Sequence, residues 1–328
     1  EKAEKFIFLE YFIVEKGYMW TKIREVLQRK VAEGVEVRLM YDGTCAFNYL
    51  PYRYPDEIKK MGIQCKMFSP ILPVLSTHYN NRDHRKILVI DGKVGFTGGV
   101  NIGDEYINRC SPFGHWKDTA IMLEGDGVEG LTQMFLQMWN VTEKCEDFGK
   151  YLKKENNSIQ DDRGFILPFG DSPFDRELIG ETVYMDIINR AEDYVHIMTP
   201  YLIIDHEMET ALCYAAQRGV DVKLILPHIP DKKMPFALAK THYAQLLKAG
   251  VRIFEYTPGF VHAKVFSSDG RKAVVGTINL DYRSLYLHFE CGAFLFDLPV
   301  IEEIEKDFEN TLAECQEVTM ADYRKGNM

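Results

Sequence analysis

The chain has 328 residues, enough for one large domain or two modest ones. With 46% apolar, 27% charged and 12% aromatic residues, its composition excludes a disordered or fibrous protein. A formal charge of −10 disfavours generic binding to nucleic acid or to anionic lipid, both of which need local positive potential.

The first element, Phe6 to Val14, is apolar but short and contains Glu10, so it reads as a buried strand. No run approaches the roughly 18–20 apolar residues of a membrane-spanning helix. The chain lacks a starting Met and enters this strand almost at once, so we expect a fragment of a longer, membrane-anchored parent. An amphipathic helix follows over Tyr18 to Ala32. Gly34 then caps it, and Val35-Glu36-Val37-Arg38-Leu39 alternates as a strand. Lys60-Met61-Gly62-Ile63 is a second helix end feeding a strand. From Ala191 the pattern is written again: a strand opening at Tyr194-Val195, a helix from His206 to Arg218, Gly219, a strand Val220-Asp221-Val222-Lys223-Leu224, and Lys248-Ala249-Gly250-Val251. The expected fold is α/β, a duplicated unit with matching surfaces facing each other about a pseudo-two-fold axis. Its halves are residues 1–142 and 165–328, joined by a polar linker at 143–164.

Seven cysteines (45, 65, 110, 145, 213, 291 and 315) are scattered without a CxxC, which fits a reducing compartment and core thiols. Nine histidines include no HExxH and no close Cys/His cluster, so neither a metal nor another cofactor is expected. The small basic clusters Arg29-Lys30, Lys232-Lys233 and Arg271-Lys272 read as solvated surface charge.

The chemistry-bearing residues also come twice. His84, Lys86, Asp91, Gly98-Gly99 and Asn101 in the first half match His262, Lys264, Asp269, Gly276-Thr277 and Asn279 in the second, at identical spacing. His and Lys two apart in a strand share a face. Asp91-Gly92 and Asp269-Gly270 read as two-residue hairpin turns, which would set Lys86 opposite Thr97, His84 opposite Gly99 and His262 opposite Thr277. Asn101 and Asn279 then join the His–Lys faces, and the small residues opposite each His leave room for a bulky group. Two such faces offer two imidazoles, two ammonium groups and two amides. Lys and Asn suit phosphate oxygens, one imidazole can attack phosphorus, and the other can protonate the departing alkoxide. Either histidine fits either role. Asp91 and Asp269 complete the motif strings, but at the turns they point away from the His–Lys faces and read as structural.

These strings resemble the paired HxKxxxxD motifs of the phospholipase D superfamily. Gly276-Thr277-Ile278-Asn279-Leu280-Asp281-Tyr282-Arg283-Ser284 with Phe289-Glu290 is similar to the signature of bacterial cardiolipin synthases. So are Phe96-Thr97-Gly98-Gly99-Val100-Asn101-Ile102, Gly114-His115-Trp116-Lys117-Asp118 and Thr199-Pro200-Tyr201, and Phe169-Gly170-Asp171-Ser172-Pro173 resembles clostridial-type members. The resemblance implies two mixed β-sheets flanked by helices. It also implies His84 as nucleophile, His262 as general acid, Asp91 and Asp269 as members of the catalytic motifs, and Asp118 and Glu290 as the acids that hydrogen-bond the imidazoles. Which acid serves which histidine stays open. His115 and Trp116 are expected to line the site. His288 stands where the family often has Asn.

The implied reaction transfers a phosphatidyl group from one phosphatidylglycerol through a phosphohistidine to a second, giving cardiolipin and glycerol. The implied setting is the bacterial cell membrane, with the catalytic part on its cytoplasmic side, lipid as partner and no nucleic acid. The motifs alone support phosphodiester cleavage, so a hydrolytic phospholipase D or a nuclease is the rival reading. A catalytically silent module is disfavoured by the intact His, Lys and Asn sets.

Overall fold

The computed structural model describes residues 1–71, 80–142, 147–152 and 164–326. In chain order the strands are Phe6–Tyr11 (β1), Glu36–Asp42 (β2), Gln64–Phe68 (β3), Lys86–Ile90 (β4), Val94–Gly98 (β5), His115–Lys117 (β6), Ala120–Glu124 (β7), Phe165–Asp171 (β8) and Tyr194–Met198 (β9). Then follow Leu202–Ile203 (β10), Asp221–Pro227 (β11), Arg252–Tyr256 (β12), Gly259–Val261 (β13), Val265–Ser268 (β14), Lys272–Gly276 (β15), Leu280–Asp281 (β16), Glu290–Phe296 (β17) and Cys315–Val318 (β18).

The duplication is visible in the sheet orders. The first sheet runs β3-β2-β1-β4-β5-β7, and the second runs β18-β12-β11-β9-β14-β15-β17-β8. Without β18 and β8 the second order repeats the first strand for strand. In both, a parallel pair (β1 with β2, β9 with β11) meets an antiparallel hairpin that carries the His–Lys string into the sheet. The helices Tyr18–Ala32 and His206–Gln217 lie where amphipathic spacing put them. Gly219, with φ 96°, supplies the left-handed residue that ends the second of these and turns the chain into β11.

The halves share one core. Phe8, Ile87 and Leu131 from the first half pack in a single cluster with Val265, Ala273, Cys291 and Phe308 from the second. At the seam Thr97 Oγ1 lies 3.4 Å from Cys291 Sγ, and Lys117 Nζ lies 2.6 Å from Asp307. Of the expected linker, residues 143–146 and 153–163 lie outside the described residues. Residues 147–152 pack on the first half, where Tyr151 is buried against Phe6 and Phe8. Among the described residues no helix is long and apolar enough to cross a membrane.

The hairpin registers differ by one residue from the sequence expectation. Asp91 and Gly92 both take left-handed φ (55° and 68°), and Lys93 N–H closes onto Ile90 O at 2.9 Å. Ile90 nevertheless pairs with Val94, so Lys93 is an additional loop residue and Ile87, not Lys86, faces Thr97. The second hairpin repeats this: Ser268 pairs with Lys272, beyond Arg271. His84 and His262 therefore do not sit opposite Gly99 and Thr277. Their own N–H groups cross to the other half, His84 N–H to Phe289 O (2.9 Å) and His262 N–H to Lys117 O (2.7 Å).

Candidate active site

Those two crossings build the site. Asp83 bridges Phe289 in parallel, and β13 pairs in parallel with β6, setting Val261 beside Lys117. Each His-bearing segment is thus fixed against the segment of the other half that leads to an acid. His84 Nδ1 lies 2.9 and 3.0 Å from the two oxygens of Glu290, and His262 Nδ1 lies 2.8 Å from Asp118 Oδ2. The acids serve the opposite copy: Glu290 from the second half holds His84, and Asp118 from the first holds His262. With Nδ1–H donated to a carboxylate, Nε2 carries the free lone pair.

The second-motif residue pair Gly99 and Thr277 diverges in use. A Cβ at Gly99 would lie 2.0 Å from Asp118 Oδ1 and 2.8 Å from His262 O, so the bare backbone admits the acid rather than a ligand. Thr277 donates its hydroxyl to Glu290 Oε2 and receives Cys291 N–H at 3.0 Å.

Both lysines are buried and curl back on their own strand, Lys86 Nζ donating to His84 O at 2.6 Å and Lys264 Nζ to His262 O. Burial lowers Lys86 to about 8, against the pull of Glu290. Lys264 falls to about 7 through burial and through Lys86, opposed by Asp118 and Glu290. The two half-sites therefore share one field. Burial also takes His84 down to about 3, with Lys86 adding to it and Glu290 resisting. His262 falls to about 4 by burial and by Lys264, with Asp118 resisting. Burial raises Glu290, but His84 and His288 outweigh it and bring the carboxyl to about 2. Asp118 likewise ends below its ordinary value, because His262 and Lys264 outweigh burial. At neutral pH the site holds two neutral imidazoles between two carboxylates.

The other expected residues are placed as follows. Asn101 spends its amide on the fold, accepting from Ile13 N–H (3.0 Å) and donating to Tyr106 OH (2.8 Å). Tyr106 then stands edge-on to His262 at 5.6 Å, so Asn101 reaches the opposite histidine through a tyrosine. Asn279 is buried, and its Oδ1 has no hydrogen-bond partner among the described residues. Trp116 lies tilted against His262 with ring centroids 5.1 Å apart, whereas His115 is exposed and turned to Tyr256 OH at 2.9 Å.

Asp91 and Asp269 serve the backbone. Each carboxylate takes three successive N–H groups at the start of the central strand, Glu4, Lys5 and Phe6 in one half and Glu192, Asp193 and Tyr194 in the other, at 2.7–3.0 Å.

Two features escaped the sequence reading. Phe12 stands edge-on to His84 at 4.9 Å and 5.3 Å from Lys86 Nζ. Behind the His84 strand lies a buried ion cluster in which Arg85 meets Glu10 at 2.6 Å and Asp83 at 3.4 Å. Its signals were the lone acid in the apolar first strand and the alternation of Arg85 with His84 and Lys86.

Among the described residues two clusters have ligand atoms close enough to hold a metal ion: His84, His288 and Glu290 in the site, and His196 on β9 with Glu305 and Glu309 of the helix Val300–Leu312.

A family model described as cardiolipin synthase, phospholipase D-like domain, matches residues 1–139 and 184–312. An uncharacterized protein of Streptococcus mutans is 58% identical over 99% of the chain, and cardiolipin synthases of Geobacillus kaustophilus and Bacillus anthracis are each 38% identical over 99%. The chain spans 70%, 64% and 63% of the lengths of these relatives. Among solved structures, phosphatidylserine synthase of Haemophilus influenzae superposes with a TM-score of 0.72 at 15% identity, covering 97% of this chain and 83% of that one, which shows a common fold. Duplicated sheets, paired motifs and the family match agree: the chain belongs to the family of phospholipase D-like cardiolipin synthase domains.

Proposed function

We propose that this chain is the catalytic part of a cardiolipin synthase that transfers a phosphatidyl group between two phosphatidylglycerol molecules. The observation that carries the reading is the crossed pair of imidazoles, each with Nδ1 held by a buried acid and each beside a buried lysine. His84 Nε2 attacks phosphorus while His262 gives a proton to the departing glycerol oxygen. The phosphorus–oxygen bond breaks, glycerol leaves, and a phosphohistidine remains. Neutral His262 then removes the proton from the headgroup hydroxyl of a second phosphatidylglycerol, whose oxygen attacks phosphorus and frees His84. Lys86 and Lys264 offset the charge on the phosphoryl oxygens. The arriving phosphodiester anion raises the imidazoles from the low values that burial gives them, so that one can carry the transferable proton.

A lipid substrate is supported by the rim on the His262 side. Ile229, Met234 and Leu238 are exposed there beside Lys232 and Lys233. Tyr201 links this rim to the site: its hydroxyl bonds Asp231 at 2.6 Å, and its ring meets Phe260, which meets His262 at 6.1 Å. Apolar side chains flanked by ammonium groups suit an anionic bilayer surface. The six described cysteines are free, in keeping with the cytoplasmic face of a bacterial membrane.

The test is to supply phosphatidylglycerol in mixed micelles and identify the products. Cardiolipin and glycerol in equal amounts are expected. Phosphatidic acid as the dominant product would replace transfer by hydrolysis.

A further inference from the structure

The third imidazole of the site, His288, has no part in the two-histidine reaction. Its side chain is 11% exposed, and neither ring nitrogen has a hydrogen-bond partner among the described residues. At 3.7 Å the Glu290 carboxylate lies beyond hydrogen-bond reach of the ring, so the hydration this largely buried imidazole loses is only partly offset unless a ligand completes it. Nδ1 of His288 lies 3.7 Å from Glu290 Oε1, the same oxygen that His84 Nδ1 approaches at 2.9 Å, and the two rings are 5.5 Å apart. One ligand atom from each of His84, His288 and Glu290 lies within 4.8 Å of the others.

We propose that His84, His288 and Glu290 form a zinc site whose occupation disarms the nucleophile. Two imidazoles and one carboxylate are a standard zinc donor set, with a fourth position left for water. Zinc–ligand bonds of about 2.0–2.1 Å in a tetrahedron put ligand atoms about 3.4 Å apart. The observed 2.9 and 3.7 Å straddle that value, so rotations of the side chains, not of the backbone, complete the geometry. Thr277 already holds the other Glu290 oxygen, as a supporting hydrogen bond does in metal centres. The ammonium of Lys86 opposes a dication, so affinity falls well short of a structural zinc site; we set the dissociation constant on the order of 1 µM.

The inhibitory consequence rests on His84 being the nucleophile. Zinc takes the Nδ1 lone pair of His84, and the proton that Nδ1 donated to Glu290 goes to Nε2. The imidazole keeps one proton in total, but Nε2 now carries it and has no lone pair to offer phosphorus. The site therefore regulates by tautomer as well as by blocking space.

The test is calorimetric titration of the EDTA-stripped chain with zinc chloride, alongside phosphoenzyme formation from labelled phosphatidylglycerol. One zinc ion should bind the wild type, and His288→Asn should bind at least about tenfold more weakly. His196→Asn, which removes the imidazole of the other cluster, should leave the titration unchanged. Zinc should suppress the phosphoenzyme in the wild type, and EDTA should restore it. Equal affinity in the wild type and His288→Asn would overturn the site. Should His288→Asn not fold, cobalt(II) on the wild type should give the visible bands of a four-coordinate N/O site, and their absence would overturn it equally. Zinc bound through His288 while the phosphoenzyme still forms would overturn the disarming step and the assignment of His84, whereas failure to bind zinc leaves that assignment standing.

Discussion

Replacing Glu290 by Gln separates what the two crossed acids do. Glu290 is wholly buried, holds His84 Nδ1 through both oxygens, and is ionised throughout the working pH range because its carboxyl sits at about 2. Gln keeps the volume and one acceptor oxygen, so the fold should survive. It removes the charge that stabilises an imidazolium at His84. It can also turn its amide NH₂ toward Nδ1, which drives the ring proton onto Nε2. The same acid-to-amide change behind a catalytic histidine lowers kcat by about 10⁴ in the serine protease triad. That is about 5.4 kcal/mol of barrier, and a comparable loss is expected here in the rate of phosphoenzyme formation, measured by rapid quench. Asp118→Asn acts on His262 instead, so it should cost only the proton donation, about 10²–10⁴-fold. That loss should shrink when the leaving group is p-nitrophenol, whereas the Glu290→Gln loss should not. If Glu290→Gln formed phosphoenzyme within tenfold of wild type while Asp118→Asn failed with every leaving group, the assignment of nucleophile and acid would be reversed.

Trapping with labelled substrate should label His262→Ala but not His84→Ala, and label found on His262 in the latter protein would exchange the roles. Anion affinity should follow the lysines: burial lowers Lys264 to about 7 and Lys86 to about 8, so both are charged below these values and discharged above them. Calorimetry with inorganic phosphate should therefore show proton uptake and binding that weakens by up to about tenfold per pH unit between pH 7 and 8, where Lys264 discharges, and by up to about a hundredfold per unit above pH 8, where both do; equal affinity from pH 6 to 9 would refute it. Asp91→Ala and Asp269→Ala each abandon three backbone N–H groups, so a stability loss of about 1–3 kcal/mol is expected in urea titrations. Phosphoenzyme formation should persist in both, and its abolition in a folded variant would make these aspartates catalytic.

Some of this was legible along the chain. The strand–helix–Gly–strand pattern recurs at Val35 and Val220 because each unit must bury the same faces, and the sheet orders repeat accordingly. The His–Lys–Asp strings were legible because their spacing is local. The hairpin register was not, since nothing in Asp91-Gly92-Lys93 tells a two-residue loop from a three-residue one until Ile90 is seen paired with Val94. Nor was the fate of Asn101, whose amide is taken by Ile13 N–H and Tyr106. Nor was the protonation of the two imidazoles, whose unperturbed value is about 6.5, legible in the sequence. It carries no measure of desolvation, which takes them to about 3 and 4.

The crossing of the acids follows from the same geometry and explains why the unit is duplicated. Within either half, His and acid sit on separate segments that do not meet: His84 precedes β4 and Asp118 follows β6, yet Asp118 reaches His262. The pseudo-two-fold packing sets each His-bearing segment against the acid-bearing segment of its counterpart, through Phe289 O on one side and Lys117 O on the other. Neither copy alone holds a histidine with its orienting acid. Substitution at one pseudo-symmetric position therefore need not match substitution at the other. Gly99 makes room for Asp118 where Thr277 bonds Glu290, and Arg85 joins a buried ion cluster where Ala263 packs in the core. The asymmetry lies in the residues around the imidazoles rather than in the motifs, and it sets each histidine in a different field.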